Sequence, residues 1–570
     1  MQTKLSVFMN RFIFVLLLAA LLVAPWSVSA RENHQVNPQE KADRLLAQLS
    51  PEEKVGQLML VTFRGTDTTD PSLIYDLIVN HHVGGVLLKR ENDNFVGPEN
   101  TLQAAHTLVS NLQTLEWQAS NTQFVNPETN EVFSPSYIPL FIGITQEGDG
   151  YPYSAILNGL TPLPNQMTLG ATWEPTSAQQ VGEILGFELS RLGFNLLLGP
   201  SLDLLEEPSP DDTGNLGTRT FGGDPYWVGE MGKAYIRGVH AGSEDRILLV
   251  GKYFPGRGSS DRPPEEEVAT IRKNLEQLKQ TDLAPFFAVT GDAPDEESTI
   301  DALLTSHIKY QGFQANLRAT TRPISFDPQA FNQLMSLPAF SLWRESGGLT
   351  VSDELGSRAV RQFFSPTGEV FDARFVARDA LQAGNDLLNL GNLVSSEDPD
   401  SYTTTIRTLE FFTTKYREDP VFAQRVDEAV QNILTKKFNL YPDFSVSDVL
   451  TDEATLTEIG QGEETVIETS RQAATLIHPS AAELDNVLPN PPTLQDRIVF
   501  ITDAYNVRQC SACEEQAVLE TNTLSDAVLR LYGPESGGQT TQRNLLSFSF
   551  EHLQIMLDRG INRTEVEFHI

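Results

Sequence analysis

The sequence predicts an α/β protein built on an eight-unit (β/α)8 barrel, followed by a helical stretch and a partial second α/β domain. Three observations carry that prediction. Short β-branched or apolar runs alternate with longer amphipathic ones from about Gln39 to Tyr441, which implies βαβ units and a parallel sheet. Eight such units fit within that stretch, somewhat above the usual ~250 residues of such a barrel. Several runs also lead straight into polar clusters, Thr145-Gln146-Glu147, Lys252-Tyr253 and Ser352-Asp353-Glu354. Barrel enzymes place their chemistry at those strand ends.

Taken in order, the strand candidates are residues 56–63, 84–88, 140–145, 194–198, 247–253, 302–307, 349–352 and 386–390. Helical periodicity marks 177–192, 226–240, 274–287 and 328–345 between them. A helical stretch over 398–440 closes this domain. Residues 441–490 read as a mixed linker region with a helix near 463–476, ending in Pro489-Asn490-Pro491-Pro492. The run 497–502 then reads as a buried strand that opens a reduced second α/β domain over 491–570, and 566–570 is strand-like again.

Residues 1–30 are expected to be a secretory signal peptide. Lys4 and Arg11 precede the apolar run 12–24, and Val28-Ser29-Ala30 forms a small-x-small cleavage site. The rival reading is an uncleaved membrane anchor, but the apolar part is shorter than the ~20 residues of a spanning helix. The protein is therefore expected in the cell envelope or outside the cell.

Composition removes several function classes. The 570 residues carry 41 Lys+Arg against 76 Asp+Glu, a net charge of −35. Phosphate binding needs clustered cations, so nucleic acid is excluded as a partner, and an anionic membrane surface is disfavoured. The two cysteines, Cys510 and Cys513, have the spacing of a redox pair or of half a zinc site. Zinc needs four ligands and no second pair exists. In an exported chain the favoured reading is a local disulfide that pins a loop. The nine histidines show no metal-binding spacing, and neither a metal nor a cofactor is expected.

Six segments then carry a resemblance. They are SPEEKVGQLML from Ser50, PLFIGITQEGDG from Pro139, LPNQMTLGAT from Leu163, the stretch from Phe194 with Arg219-Thr220-Phe221-Gly222-Gly223-Asp224-Pro225, KYFPGRG from Lys252, and LTVSDEL from Leu349. In order and spacing they resemble the barrel of glycoside hydrolase family 3, in its β-N-acetylhexosaminidase branch. The resemblance implies a retaining glycosidase acting on β-linked N-acetylglucosamine or a related sugar. Its nucleophile would be Asp353, with Arg219 and Lys252 contacting the sugar. Retaining hydrolysis needs such a carboxylate together with a proton donor for the leaving oxygen.

The chain departs from the family pattern at several of these positions. The family's His acid falls at Glu265, within Glu265-Glu266-Glu267, and its Asp partner is missing too. A buried Glu with a raised pKa can serve as acid, whereas three adjacent glutamates also suit a solvated loop. The sugar-gripping Asp is Thr145, the His of Lys-His is Tyr253, and the second His of the Gly-rich loop is Arg257. His307 ends a strand near the expected mouth. A non-catalytic barrel that binds glycan or a partner protein is the alternative expectation.

Overall fold

The computed structural model describes residues 37–125, 132–206, 216–478, 480, 482–487 and 493–558. The expected signal peptide, the Pro489–Pro492 linker and the strand-like run 566–570 lie outside them.

Eight parallel strands form one sheet: β1 Met59–Val61, β2 Gly85–Leu87, β3 Phe141–Ile144, β4 Leu196–Ser201, β5 Leu248–Phe254, β6 Ala302–Thr305, β7 Leu349–Ser352 and β8 Leu388–Asn389. Their order is β7-β6-β5-β4-β3-β2-β1-β8, each strand beside its sequence neighbour. A parallel bridge between Val351 and Leu387 brings the sheet's two edges together, and Ser352 N–H donates to Leu387 O at 2.9 Å. Strands such as Leu-Leu-Val in β5 are apolar in consecutive positions because the barrel buries both faces.

Local signals set the surrounding helices. Asp224 accepts from the N–H groups of Tyr226 and Trp227, and Pro225 opens the helix Pro225–Ser243. That helix lies against Pro175–Arg191 with glycines in the seam. A Cβ at Gly182 would sit 2.4 Å from the Tyr235 carbonyl oxygen. Two expected helices are each broken in two. Residues 328–345 form Pro328–Met335 and Pro338–Glu345, because Leu337 precedes a proline and is pushed to extended backbone. Residues 274–287 form Leu275–Gln280 and Ala284–Ala288, with Thr281 outside helical geometry between them.

Within the expected linker region, residues 446–473 are docked on the barrel. Helix Glu463–Ala473 packs against Gln166–Thr172 and Pro175–Arg191. The buried Glu188 carboxylate accepts from the Thr161 and Gly460 N–H groups and the Thr161 hydroxyl.

Beyond it, Ile498–Thr502 pairs in parallel with Leu545–Ser549, and Tyr505–Arg508 forms an antiparallel hairpin with Glu515–Leu519. The strand expected to be buried is not: Val499 and Ile501 are 49% and 45% exposed. A two-stranded sheet with helices Thr523–Tyr532 and Phe550–Asp558 against it does not enclose both of its faces. Cys510 and Cys513 are joined in a disulfide at the turn of the hairpin, as the loop-pinning reading expects.

Candidate active site at the barrel mouth

The carboxyl ends of the strands surround a cavity of about 260 Å³. It is smaller than the ~300–1,000 Å³ of sites for drug-sized ligands, and suits a single small ring. Its polar lining comes from several strand ends: Lys89 after β2, Thr145 and Glu147 after β3, Lys252 and Tyr253 within β5, and Asp353 and Glu354 after β7.

Asp353 is half-buried, and its Oδ1 accepts from the Glu354 N–H at 2.8 Å. The Asp353 N–H donates to Thr305 O at 3.1 Å, which ties the residue to β6. Glu354 is held by Lys89 Nζ and Asn392 Nδ2, both at 2.5 Å. Burial lowers the Lys89 pKa, but the Glu354 carboxylate more than offsets it, so the ammonium is held above its ordinary value.

Opposite them, Lys252 Nζ donates to Glu147 Oε2 in a buried ion pair. Burial opposes the Lys252 charge and Glu147 restores it, raising the pKa overall. Gly199 makes the pair possible, since a Cβ there would sit 2.6 Å from Glu147 Oε1. That oxygen is buried and has no hydrogen-bond partner among the described residues. The Arg219 guanidinium sits over the Tyr153 ring, 4.0 Å from its centroid, and that of Arg257 over the Tyr253 ring at 3.5 Å. Asp149, close to this group, also has a buried Oδ1 without a partner. Burial and the nearby Glu147 push its carboxyl up to about 7, against the pull of Lys252 and Arg219.

Of the residues singled out in the sequence, Asp353, Arg219, Lys252, Tyr253 and Thr145 line this one cavity. Two stand elsewhere. Glu265 has a 55% exposed side chain, and its Oε1 lies 2.8 Å from Arg257 Nη1. Partial burial would raise its pKa, but the Arg257 guanidinium overcomes this and holds the carboxyl below its usual value. His307 is buried behind the loop that carries Asp353. Its Nε2 faces Glu354 O at 3.2 Å and its Nδ1 faces Ser325 Oγ at 2.7 Å. The carbonyl only accepts, so the proton sits on Nε2. Burial lowers the pKa, and Asp353 opposes the shift without reversing it. The imidazole is therefore neutral near pH 7 and positions the loop.

The sequence singled out neither Lys89 nor Tyr153 as a site residue, and offered Glu147 and Glu354 only as parts of polar clusters. Lys89 lies two residues after β2 and directly after the apolar run 84–88, so the strand-end rule that points to Asp353 could have found it. Tyr153 lies on a loop and gives no such signal.

A parallel barrel whose strand ends gather carboxylates and cations around one small polar cavity is the arrangement of a barrel enzyme acting on a polar substrate. Comparison with known proteins narrows that class. Residues 50–435 match the glycosyl hydrolase family 3 N-terminal domain, and the chain belongs to that family.

Among curated relatives, β-hexosaminidase A of Pseudoalteromonas piscicida is 27% identical over 324 residues, covering 54% of this chain but only 48% of that protein. A β-hexosaminidase of Nitrosomonas eutropha is 25% identical over 318 residues, 54% of this chain and 80% of the relative. In fold, the chain is similar to a family 3 β-N-acetylglucosaminidase from a Paenibacillus species. That match has a TM-score of 0.64 at 20% identity, over 90% of this chain and 83% of that one.

Proposed function

We propose that this protein is an exported glycosidase that releases β-linked N-acetylglucosamine or a related sugar with retention of configuration. The observation that carries the reading is Asp353, held by the Glu354 N–H at the end of β7, in a cavity it shares with Arg219 and the Lys252–Glu147 pair. In the first step the Asp353 carboxylate attacks the anomeric carbon and the leaving group departs. In the second, water hydrolyses the glycosyl–enzyme ester and the carboxylate is restored. Lys252 and Arg219 donate charge-assisted hydrogen bonds to sugar hydroxyls, and Tyr253 and Thr145 complete the lining. The names of the curated relatives support the choice of sugar. Export is supported by the sequence of residues 1–30 and by the Cys510–Cys513 disulfide, which suits an oxidising compartment.

Glu265 is the acid that family spacing proposes, and its ion pair with Arg257 keeps it ionised rather than ready to donate. Substrates with good leaving groups, which need little protonation, are therefore the expected ones. The same ion pair favours a second reading, a barrel that binds glycan without turnover. Release of nitrophenol from 4-nitrophenyl β-N-acetylglucosaminide decides between them. The wild type should hydrolyse it, and Asp353→Asn should lower kcat by at least about 10³-fold, as loss of a nucleophile does. No release by the wild type, or an unchanged rate in the variant, would leave the binding barrel as the surviving reading.

A further inference from the structure

Hydrolysis through Asp353 needs a proton donor for the leaving oxygen, and the lining of the barrel cavity narrows the choice. Its carboxylates are committed. Glu147 is ion-paired with Lys252, Glu354 is held by Lys89 and Asn392, and Asp353 is the nucleophile. Glu91 stands at the rim with a 58% exposed side chain, 3.7 Å from Lys89. Asp149, its carboxyl pushed up to about 7 by burial and Glu147, does not line the cavity. Burial opposes the charges of Lys89 and Lys252, but Glu354 and Glu147 outweigh it, so both ammonium groups hold their protons tightly. The aliphatic hydroxyls of Thr145 and Ser154 are too weakly acidic to serve.

Two phenols remain, Tyr153 and Tyr253. Tyr153 is 47% exposed, and its hydroxyl makes no hydrogen bond among the described residues. Tyr253 is half-buried and surrounded by three cations. Arg219 Nη1 points at its oxygen from 3.5 Å, the Arg257 guanidinium covers its ring, and Lys252 Nζ lies 5.4 Å from the ring centroid. A guanidinium at the oxygen takes a lone pair and leaves the hydroxyl proton for another acceptor. Among the described residues that proton meets none. The charge left on the oxygen when the proton departs would fall among groups already in place to stabilise it. The cavity, of about 260 Å³, suits a single ring, so Asp353 and Tyr253, which both line it, meet the same ring.

We infer that Tyr253 is the proton donor to the leaving oxygen. The inference rests on the proposed glycosidase reading with Asp353 as nucleophile. In the first step an Asp353 oxygen bonds to the anomeric carbon as that carbon's bond to the leaving oxygen breaks. The Tyr253 proton goes to the leaving oxygen, and a phenolate remains beside Arg219. In the second step water attacks the anomeric carbon, the phenolate takes one of its protons, and Asp353 departs as the carboxylate. A phenol is a weaker acid than a carboxyl group, so good leaving groups remain the better substrates.

Kinetics of the full chain and of Tyr253→Phe on aryl β-N-acetylglucosaminides test this, with leaving groups running from 2,4-dinitrophenol to unsubstituted phenol. The variant should lose about 10²–10³-fold more kcat/KM on the phenyl than on the dinitrophenyl glycoside, within the range of general acid catalysis. Equal loss across the series would make Tyr253 a residue that only positions the sugar, and overturns the donor role. A gradient of that size in Tyr153→Phe, with none in Tyr253→Phe, overturns it in favour of the other phenol. A wild type that releases nothing from any of these substrates overturns the glycosidase reading and the donor role together. An active wild type with equal loss in the variant overturns the donor role alone.

Discussion

The mouth of the barrel and its opposite end are built from the same residue types and use them in opposite ways. Below the strands, Asp301 accepts from His240 Nε2 and Lys436 Nζ, each at 3.0 Å, and from the Leu249 N–H. His240 Nδ1 faces Glu297 O at 2.8 Å. Both ring nitrogens meet acceptors, so the imidazole is a cation there, and its pKa is raised: burial opposes the charge, but Asp301 outweighs it. Asp386 is likewise clamped between Arg344 and Arg425. None of these side chains leaves a buried polar atom unpartnered.

At the mouth, Glu147 Oε1, Asp149 Oδ1 and Arg90 Nε are buried without a hydrogen-bond partner among the described residues, whereas Asp203 Oδ2 and Arg257 Nε, which also lack one, face each other as an ion pair at 3.9 Å. Buried polar groups are normally satisfied, and the exceptions mark places where something other than stability has been selected. Below the strands Glu116 Oε2 is left unpartnered too, so the contrast is between the Asp301 and Asp386 clusters, whose charges are paired, and the mouth, where Glu147 and Asp149 each keep a buried oxygen without a partner among the described residues.

The sharpest way to break this contrast is at the Lys252–Glu147 pair. Lys252→Met should lower kcat/KM by about 10²–10³-fold, the range for losing one preorganised donor. It should also destabilise the fold by about 3–5 kcal/mol, because Glu147 is left as an unpaired buried charge. Adding Glu147→Gln should recover most of the stability, read by urea denaturation, and none of the activity. Recovery of activity in the double variant would place the pair in the scaffold.

Below the barrel the reverse is expected. Asp301→Asn should cost about 3 kcal/mol by leaving His240 and Lys436 without their counter-charge, with kcat of the folded enzyme unchanged. A fall in kcat matching that at Lys252 would erase the distinction between the two ends.

Smaller effects sharpen it through pH. The Asp149 carboxyl, at about 7 in the fold, binds its proton more tightly folded than unfolded, where an Asp titrates near ~3.9. Its contribution to stability is therefore full at low pH and is lost as pH rises from about 4 to about 7. Asp149→Asn should flatten that part of the stability profile and remove a titration step near pH 7 from kcat/KM.

The smallest effect belongs to His240. Its folded pKa is raised, so its contribution is present below the unfolded value of ~6.5 and is lost as pH climbs through the folded value. The Tm of His240→Gln should show a weaker fall over that window than the wild type, with no change in the pH dependence of kcat.

The sequence by itself determined the barrel and the place of Asp353 at its mouth. All eight strands overlap the apolar runs read from the sequence, from residues 59–61 to 388–389, and several of those runs end in polar clusters, because a strand buried on both faces is mainly apolar and a strand end at the mouth need not be. Asp353, Arg219, Lys252, Tyr253 and Thr145 were legible through the segments that resemble family 3, which place each of them at a motif position of that family. The Cys510–Cys513 disulfide was legible from spacing and the expectation of export.

Only the tertiary structure decided which charges are paired and which remain open. Glu265 and Arg257 are close neighbours on one loop, and sequence spacing gives no sign that they form an ion pair at the rim. Asp93 and Ser511, far apart in the chain, meet only because the hairpin folds back onto the mouth. Burial and charge pairing depend on what surrounds a side chain in three dimensions. Periodicity and motif spacing report the backbone path, while the electrostatics of the mouth arise from contacts between distant segments of it.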